Sequence, residues 1–379
     1  MRSSSGRRLL FVVTEDFYFL SHRLALARRA REAGWQVGVA TGPGEKAAAI
    51  ASEGFEHFVL DLERGSTHPV LELRALASVV EVMRAYRPDV VHLVAVKPIV
   101  YGSIASRLLG VQGTLCAVAG LGFLYLGGGA KRRAMRAFVE TVYKTCVRGR
   151  PGVRVLVQNA DDRAVLIDGG MVEPEQVDVV PGSGVDLDRF ACPPPAAHDV
   201  VEILTHSRML WDKGIGELVE AARMLKARGT PCRVTLVGDP DPHNPASIDR
   251  PTLEAWASEG VVQWLGRRDD IPRLLCACDI ACLPSYREGM PLSLLEAAAA
   301  GRPIVTTDVP GCRDVVEDGV SGILVPARDA HGLAQALERL VTDAALRARM
   351  GGEARRRAET RFGKRAIDGA IVEIYERLV

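Results

Sequence analysis

The 379-residue sequence has almost no net charge, with 48 Lys and Arg against 47 Asp and Glu. Nucleic-acid binders usually carry a strong basic excess, so this balance argues against that class. No run of about 18 apolar residues occurs, so nothing reads as a membrane span. A secretory signal is also missing. Arg7 and Arg8 precede only Leu9–Val13, and Glu15 and Asp16 follow at once. Such a short apolar run reads as a first strand. The eight cysteines lack zinc-ligand spacing. The densest group, Cys276, Cys278 and Cys282, has no His nearby, and reads as buried small hydrophobes in a reducing cytosol. Repeats at solenoid periods and low-complexity tracts are absent as well. With 47% apolar and 25% charged residues, disordered and collagen-like chains are excluded.

What is present is alternation. Apolar strand-like runs recur near Leu9–Val13, Val37–Ala40, Phe58–Asp61, Val90–Val94, Thr114–Val118 and Val153–Val157. After mid-chain they recur near Glu202–Thr205, Arg233–Val237, Val261–Trp264, Ile280–Leu283 and Ile304–Thr306. Continuous Val, Ile and Leu runs are the mark of strands buried on both faces. Helical patterns such as His22–Ala33 and Gly216–Arg228 lie between them. Strand–helix alternation predicts an α/β protein with parallel, doubly wound sheets. The stiff stretch Phe190-Ala191-Cys192-Pro193-Pro194-Pro195 places a domain boundary at about residue 195. Two Rossmann-like domains, 1–195 and 196–379, are expected to face one cleft, because open α/β sheets bind ligands beyond the carboxyl ends of their strands.

Charge is unevenly spread. Lys131–Arg150 holds seven basic residues and one acid, Glu140. Met135, Phe138, Val139, Val142, Tyr143 and Cys146 fall on one helical face. Two readings stay open: a helix on an anionic membrane surface, or a helix packed on its own sheet.

The chemistry concentrates at Ser285–Pro310. After strand Ile280–Leu283 comes Pro284-Ser285-Tyr286-Arg287-Glu288-Gly289-Met290-Pro291, then a helix from about Pro291 to Ala300. Glu288 precedes the helix start and Glu296 lies eight positions on. Helix N-termini favour phosphate, and carboxylates accept from sugar hydroxyls. Two carboxylates beside a diphosphate need cations. His206-Ser207-Arg208-Met209-Leu210-Trp211-Asp212-Lys213-Gly214 supplies Arg208 and Lys213. Only seven residues are Lys, against 41 Arg, so a Lys here is less interchangeable with surface charge.

These strings resemble the retaining glycosyltransferases of family four, with the GT-B fold. The resemblance rests on Glu288-x7-Glu296 with Gly289-Met290-Pro291, Arg208 with Lys213-Gly214, Gly182–Asp186, Pro310-Gly311 and Gly322. Arg23–Ala30, Pro98–Gly102 and Gly120-Leu121-Gly122-Phe123 are similar to bacterial members that build lipid-linked oligosaccharides, capsule or O-antigen.

The resemblance implies roles. Arg208 and Lys213 would hold the donor diphosphate, Glu296 would accept from the ribose, and Glu288 would contact the donor sugar. Backbone N–H groups of Gly289, Met290, Pro291 and Leu292 (Pro291 itself lacks one) would bind donor oxygens. Gly266 and Arg267 would receive the base, and Gly182–Asp186 would be the hinge. The first domain would bind acceptor and the second donor, with the last helix free to cross back. Many relatives have a His-Gly near the donor sugar; here the stretch reads Val118-Ala119-Gly120-Leu121-Gly122, so no catalytic His is assigned. Glu15, Asp16, His22, Arg23, Gly120 and Gly122 are acceptor candidates. The implied activity moves a hexose or N-acetylhexosamine from a UDP-sugar to a polyprenyl-diphosphate-linked saccharide, on the cytoplasmic side of the membrane. No cofactor or metal is expected, since Asp239-Pro240-Asp241 reads as a Pro-rich loop and not as a metal pair at a strand end. Alternatives are a nucleotide-sugar epimerase of the same fold and a non-catalytic sugar-nucleotide-binding subunit.

Overall fold

The computed structural model describes residues 6–63, 65–66, 68–118, 120, 130–193, 199–242 and 244–379. Two units emerge: the residues up to Ser183 together with Ala366–Val379, and Gly184–Arg365.

In the first unit the described strands are β1 (Arg8–Val13), β2 (Gln36–Thr41), β3 (Glu56–Val59), β4 (Val90–Val94), β5 (Gly113–Ala117), β6 (Val153–Val157) and β7 (Val177–Val179). They form one parallel sheet in the order β3-β2-β1-β4-β5-β6-β7. Side chains alternate between two cores, as a period of two dictates. Leu10 and Val12 enter one core with Val79, Met83, Ile99 and Val142. Leu9, Phe11 and Val13 enter the other with Leu26, Ala30, Ile371 and Tyr375. Burial on both faces is why these runs read as uninterrupted apolar segments. The C-terminal segment is held in this unit by more than apolar area. Tyr375 Oη lies 2.5 Å from His92 Nδ1. Burial, aided by the nearby Arg23 cation, pushes His92 well below the usual imidazole range, so its ring is neutral.

The second unit contains β8 (Val201–His206), β9 (Cys232–Val237), β10 (Gln263–Trp264), β11 (Ile280–Leu283), β12 (Ile304–Thr307) and β13 (Gly322–Val325). Its sheet is parallel, ordered β10-β9-β8-β11-β12-β13. That is the doubly wound Rossmann order, with its reversal between β8 and β11.

Four details differ from the sequence reading. First, β7 and β13, at the sheet edges, add to the strands expected. Second, the helix expected over His22–Ala33 spans Leu24–Glu32, and a separate helix, Asp16–His22, precedes it, with the break at Arg23 (φ −123°, ψ −14°). Third, the units divide at Ser183/Gly184 rather than near 195. Val185 and Phe190 are buried in the second unit's core, and Val185 pairs with Gly363, so this stretch belongs to that unit. Pro194 and Pro195 lie outside the described residues. Fourth, Cys276 is no isolated thiol: it forms a disulfide with Cys192, 84 residues away. Cys278 and Cys282 are buried free thiols.

The basic helix spans Ala130–Val142 and continues as a π-turn over Tyr143–Val147. Val139, Val142 and Tyr143 are buried in the unit's own core, with Met135 and Cys146 packed against it. Phe138 alone of that stripe is exposed. Arg136 pairs with Glu140 at 2.7 Å. Among the described residues, no helix is long and apolar enough to cross a membrane.

Candidate active site

The chain leaves β8 at His206 and β11 at Leu283, the two strands flanking the reversal in sheet order. Crevices beyond the carboxyl ends of such strands are where open α/β sheets take ligands. Both chemical strings of the second unit start there.

Beyond β8, a 3₁₀ turn over Trp211–Lys213 ends in Gly214 with φ +70°, which starts the helix Ile215–Ala227. A Cβ on Gly214 would stand 2.0 Å from the Pro284 carbonyl oxygen. Only glycine lets this loop press against the chain leaving β11. Tyr286 N–H donates to the Asp212 carbonyl at 2.9 Å and completes the join. Beyond β11 the helix is Leu292–Ala299, one residue shorter at each end than expected, with Pro291 as its cap. Glu288 N–H donates to the Pro310 carbonyl at 3.1 Å. A Cβ on Gly311 would meet Glu288 O at 2.6 Å, so Pro310-Gly311 is the floor on which the glutamate loop lies.

The side chains then meet. Lys213 Nζ pairs with Glu288 Oε1, which also accepts from Ser285 Oγ at 2.7 Å. His206 Nε2 lies 2.8 Å from Glu296 Oε2. Arg208 Nη1 donates to Asp241 Oδ2 at 2.6 Å. Asp212 links the group electrostatically. Burial pushes its carboxyl above the usual range, Lys213 and Arg208 pull it down, and Glu288 pushes it up. Its Oδ1 is buried without a hydrogen-bond partner. Two cations and two carboxylates of the expected set thus share one sheet end. The Met290 side chain is buried in the core. Gly266 follows β10 and accepts from Gly238 N–H at 2.8 Å. Arg267 is exposed, 3.9 Å from Asp269. Asp239-Pro240-Asp241 lies on the loop expected, which begins just past the end of β9 at Val237. Its Asp241 carboxylate holds Arg208. Among the described residues, no group of three or more His, Cys, Asp or Glu is arranged to hold a metal ion.

In the first unit, the order reverses between β1 and β4. Glu15 and Asp16 follow β1, but Asp16 is buried and accepts from the Phe17 and Lys46 N–H groups, both at 2.6 Å. Arg23 is also buried, with Nη1 on the His22 carbonyl at 3.3 Å. Both side chains are turned inward. Glu15 and His22 are partly exposed, His22 stacked 4.2 Å from Tyr18. Gly120 adopts φ +114°, and Gly122 lies outside the described residues. At the end of β4, Ala95 has φ +75° and ψ 171° and caps the helix Val96–Leu109. That region is essentially reserved for glycine, and strain of about 1–3 kcal/mol concentrates at functional sites. No sequence signal marks Ala95. Ser285, Asp212 and His206 stood inside the strings already singled out but were not assigned; their polar side chains beside strand ends were the available signal. Asp241 needed the fold.

Residues 201–343 match the family model described as glycosyl transferases group 1, and residues 8–148 match glycosyl transferase 4-like. The chain belongs to these glycosyltransferases. The glycosyltransferase is 26% identical to the N,N'-diacetylbacillosaminyl-diphospho-undecaprenol alpha-1,3-N-acetylgalactosaminyltransferase of Campylobacter jejuni, over 95% of this chain and 98% of that one. It is 29% identical to the UDP-Gal:alpha-D-GlcNAc-diphosphoundecaprenol alpha-1,3-galactosyltransferase of Escherichia coli, over 73% and 72% respectively. Its fold matches sucrose-phosphate synthase from Thermosynechococcus elongatus at a TM-score of 0.82 and 21% identity, covering 98% of this chain and 99% of that one. The two parallel-sheet α/β units are thus those of the GT-B fold.

Proposed function

We propose that this glycosyltransferase moves a hexose or N-acetylhexosamine from a UDP-sugar to a hydroxyl of a polyprenyl-diphosphate-linked saccharide in bacterial glycan synthesis, with retention at the anomeric carbon. The observation that carries it is the Lys213–Glu288 pair beside Arg208 at the β8/β11 sheet end. The two diphospho-undecaprenol-acting relatives support the acceptor class. In this reading the second unit holds the donor and the first carries acceptor contacts at Glu15 and His22.

The bond from the anomeric carbon to the leaving phosphate oxygen breaks, and its electron pair stays on the diphosphate. Arg208 and Lys213 offset the growing negative charge, typically the largest single contribution to such catalysis. The acceptor oxygen bonds to the oxocarbenium-like carbon on the departing face. Its proton passes to the leaving phosphate oxygen, so no protein nucleophile is needed. Glu288 accepts from the sugar and Glu296 from the ribose.

The test is a donor screen by mass spectrometry with polyprenyl-diphosphate-linked acceptors, followed by NMR of the new linkage. Transfer from one UDP-sugar with its configuration kept is expected. A new sugar nucleotide formed without acceptor, or no turnover of any donor, would overturn the reading. Because protein cations already sit at the diphosphate position, activity is expected to survive EDTA. Abolition by EDTA with recovery on adding Mg²⁺ would show that a metal is required.

A further inference from the structure

Glu296 stands in the helix Leu292–Ala299 between buried Leu295 and Ala297. Its Oε2 lies 2.8 Å from His206 Nε2, with side-chain exposures of 12% for His206 and 16% for Glu296. Among the described residues this is the only hydrogen bond of the Glu296 carboxylate, so Oε1 remains open. His206 is the last residue of β8, in register with Val237 of β9. β9 holds the backbone there, since Ser207 N–H donates to the Val237 carbonyl at 3.0 Å, and the imidazole ring has only two side-chain torsions. A glutamate has three, and ordering so flexible a side chain costs binding energy unless the protein has already ordered it.

We propose that His206 is a positioning residue of the donor site. It ties one oxygen of Glu296 to the rigid sheet end and leaves the other preset for a ribose hydroxyl. The inference rests on the reading of Glu296 as the ribose acceptor. Imidazole suits the task because it donates from Nε2 both as the cation and as the neutral Nε2–H tautomer, the form that a carboxylate acceptor selects. A lysine there would instead add a third cation beside the diphosphate and bind it unselectively. The contribution is to affinity, since the ribose hydroxyl bond is made alike in the ground and transition states.

The experiment is titration calorimetry with UDP and its 2′-deoxy and 3′-deoxy analogues, alongside steady-state kinetics. His206→Ala is expected to weaken UDP binding and raise the donor KM by about 5–10-fold, as one lost charge-assisted hydrogen bond implies. The change in kcat should stay within about twofold. The analogue lacking the recognised hydroxyl should bind wild type and variant alike. His206→Gln, which keeps a donor, should recover most of the affinity. His206→Met, which keeps the bulk and cannot donate, gives the same reading if the alanine variant folds poorly. Unchanged UDP affinity in both non-donating variants, while Glu296→Ala weakens UDP, would overturn the positioning role and leave the donor site standing. No effect from Glu296→Ala would instead sink the donor-site reading itself. A fall in kcat at constant KM, or equal losses for UDP and both deoxy analogues, would also overturn the proposal.

Discussion

Lys213→Ala is expected to lower kcat by about 10²–10³-fold with the thermal unfolding profile retained, the usual loss when one preorganised charge-stabilising donor is removed. The ammonium sits 18% exposed against a 12% exposed Glu288, where surrounding protein weakens solvent screening. It is fixed before any substrate arrives. Glu288 holds it, and Glu288 is itself held by Ser285 Oγ at 2.7 Å and by its own N–H on Pro310. Lys213→Arg should recover less than a tenth of the rate, because a planar fork does not replace a compact point charge at this spacing. Glu288→Gln keeps an oxygen for Ser285 but removes the partner of Lys213. Its kcat is expected to fall at least about tenfold, with a smaller change in donor KM. Initial rates at saturating donor, with near-UV circular dichroism as a check on the fold, read all three. A Lys213→Ala rate within threefold of wild type would place the chemistry elsewhere.

What the sequence showed depended on the range of the interaction. Strands β4, β6 and β11 were legible to the residue, because a parallel strand covered on both faces needs an unbroken apolar run. At β10 the run Val261–Trp264 has only Gln263 and Trp264 paired, since apolar character marks burial and not hydrogen bonding. Glu288, Arg208 and Lys213 stand out because their loops carry glycines and prolines whose geometry is local, and Glu296 by its eight-residue spacing from Glu288. The role of Asp241 is silent in sequence because its pairing with Arg208 crosses 33 residues. The burial of Asp16 and Arg23 is hidden in sequence for a different reason. A charged residue just beyond a strand looks like a surface group, yet Asp16 serves the turn at Lys46. Arg23 lies buried near His92 and Tyr375, lowering the first and opposing the burial-driven rise of the second. Ala95 shows nothing in sequence, because its strain is imposed by the packing around it.

Long range also explains the cysteines, and the second large effect follows from them. Cys192 and Cys276 bring Cα atoms 84 positions apart to within 5.1 Å. Arg302 is fully buried at the same place. Its Nε donates to Leu275 O at 2.8 Å, and its Nη2 to Cys276 O at 3.0 Å and Pro193 O at 3.1 Å. One guanidinium therefore binds the backbone beside both half-cystines. It has no carboxylate within pairing distance among the described residues, and burial lowers its pKa. The energy of so expensive a burial must come from those carbonyls. Replacing Cys276 by Ser is expected to cost about 2–4 kcal/mol through the freer unfolded chain. Arg302→Leu should cost about 3–5 kcal/mol, because it orphans three acceptors at once. For a unit of this size each kcal/mol moves Tm by roughly 2–4 °C, so both shifts are readable by calorimetry. Reductant should lower the wild-type transition to that of the serine variant and leave Arg302→Leu with a separate, additional loss. Six free thiols should titrate in the denatured, unreduced protein, namely Cys116, Cys146, Cys232, Cys278, Cys282 and Cys312. Eight would mean that the crosslink does not form and that the connector is held by Arg302 alone.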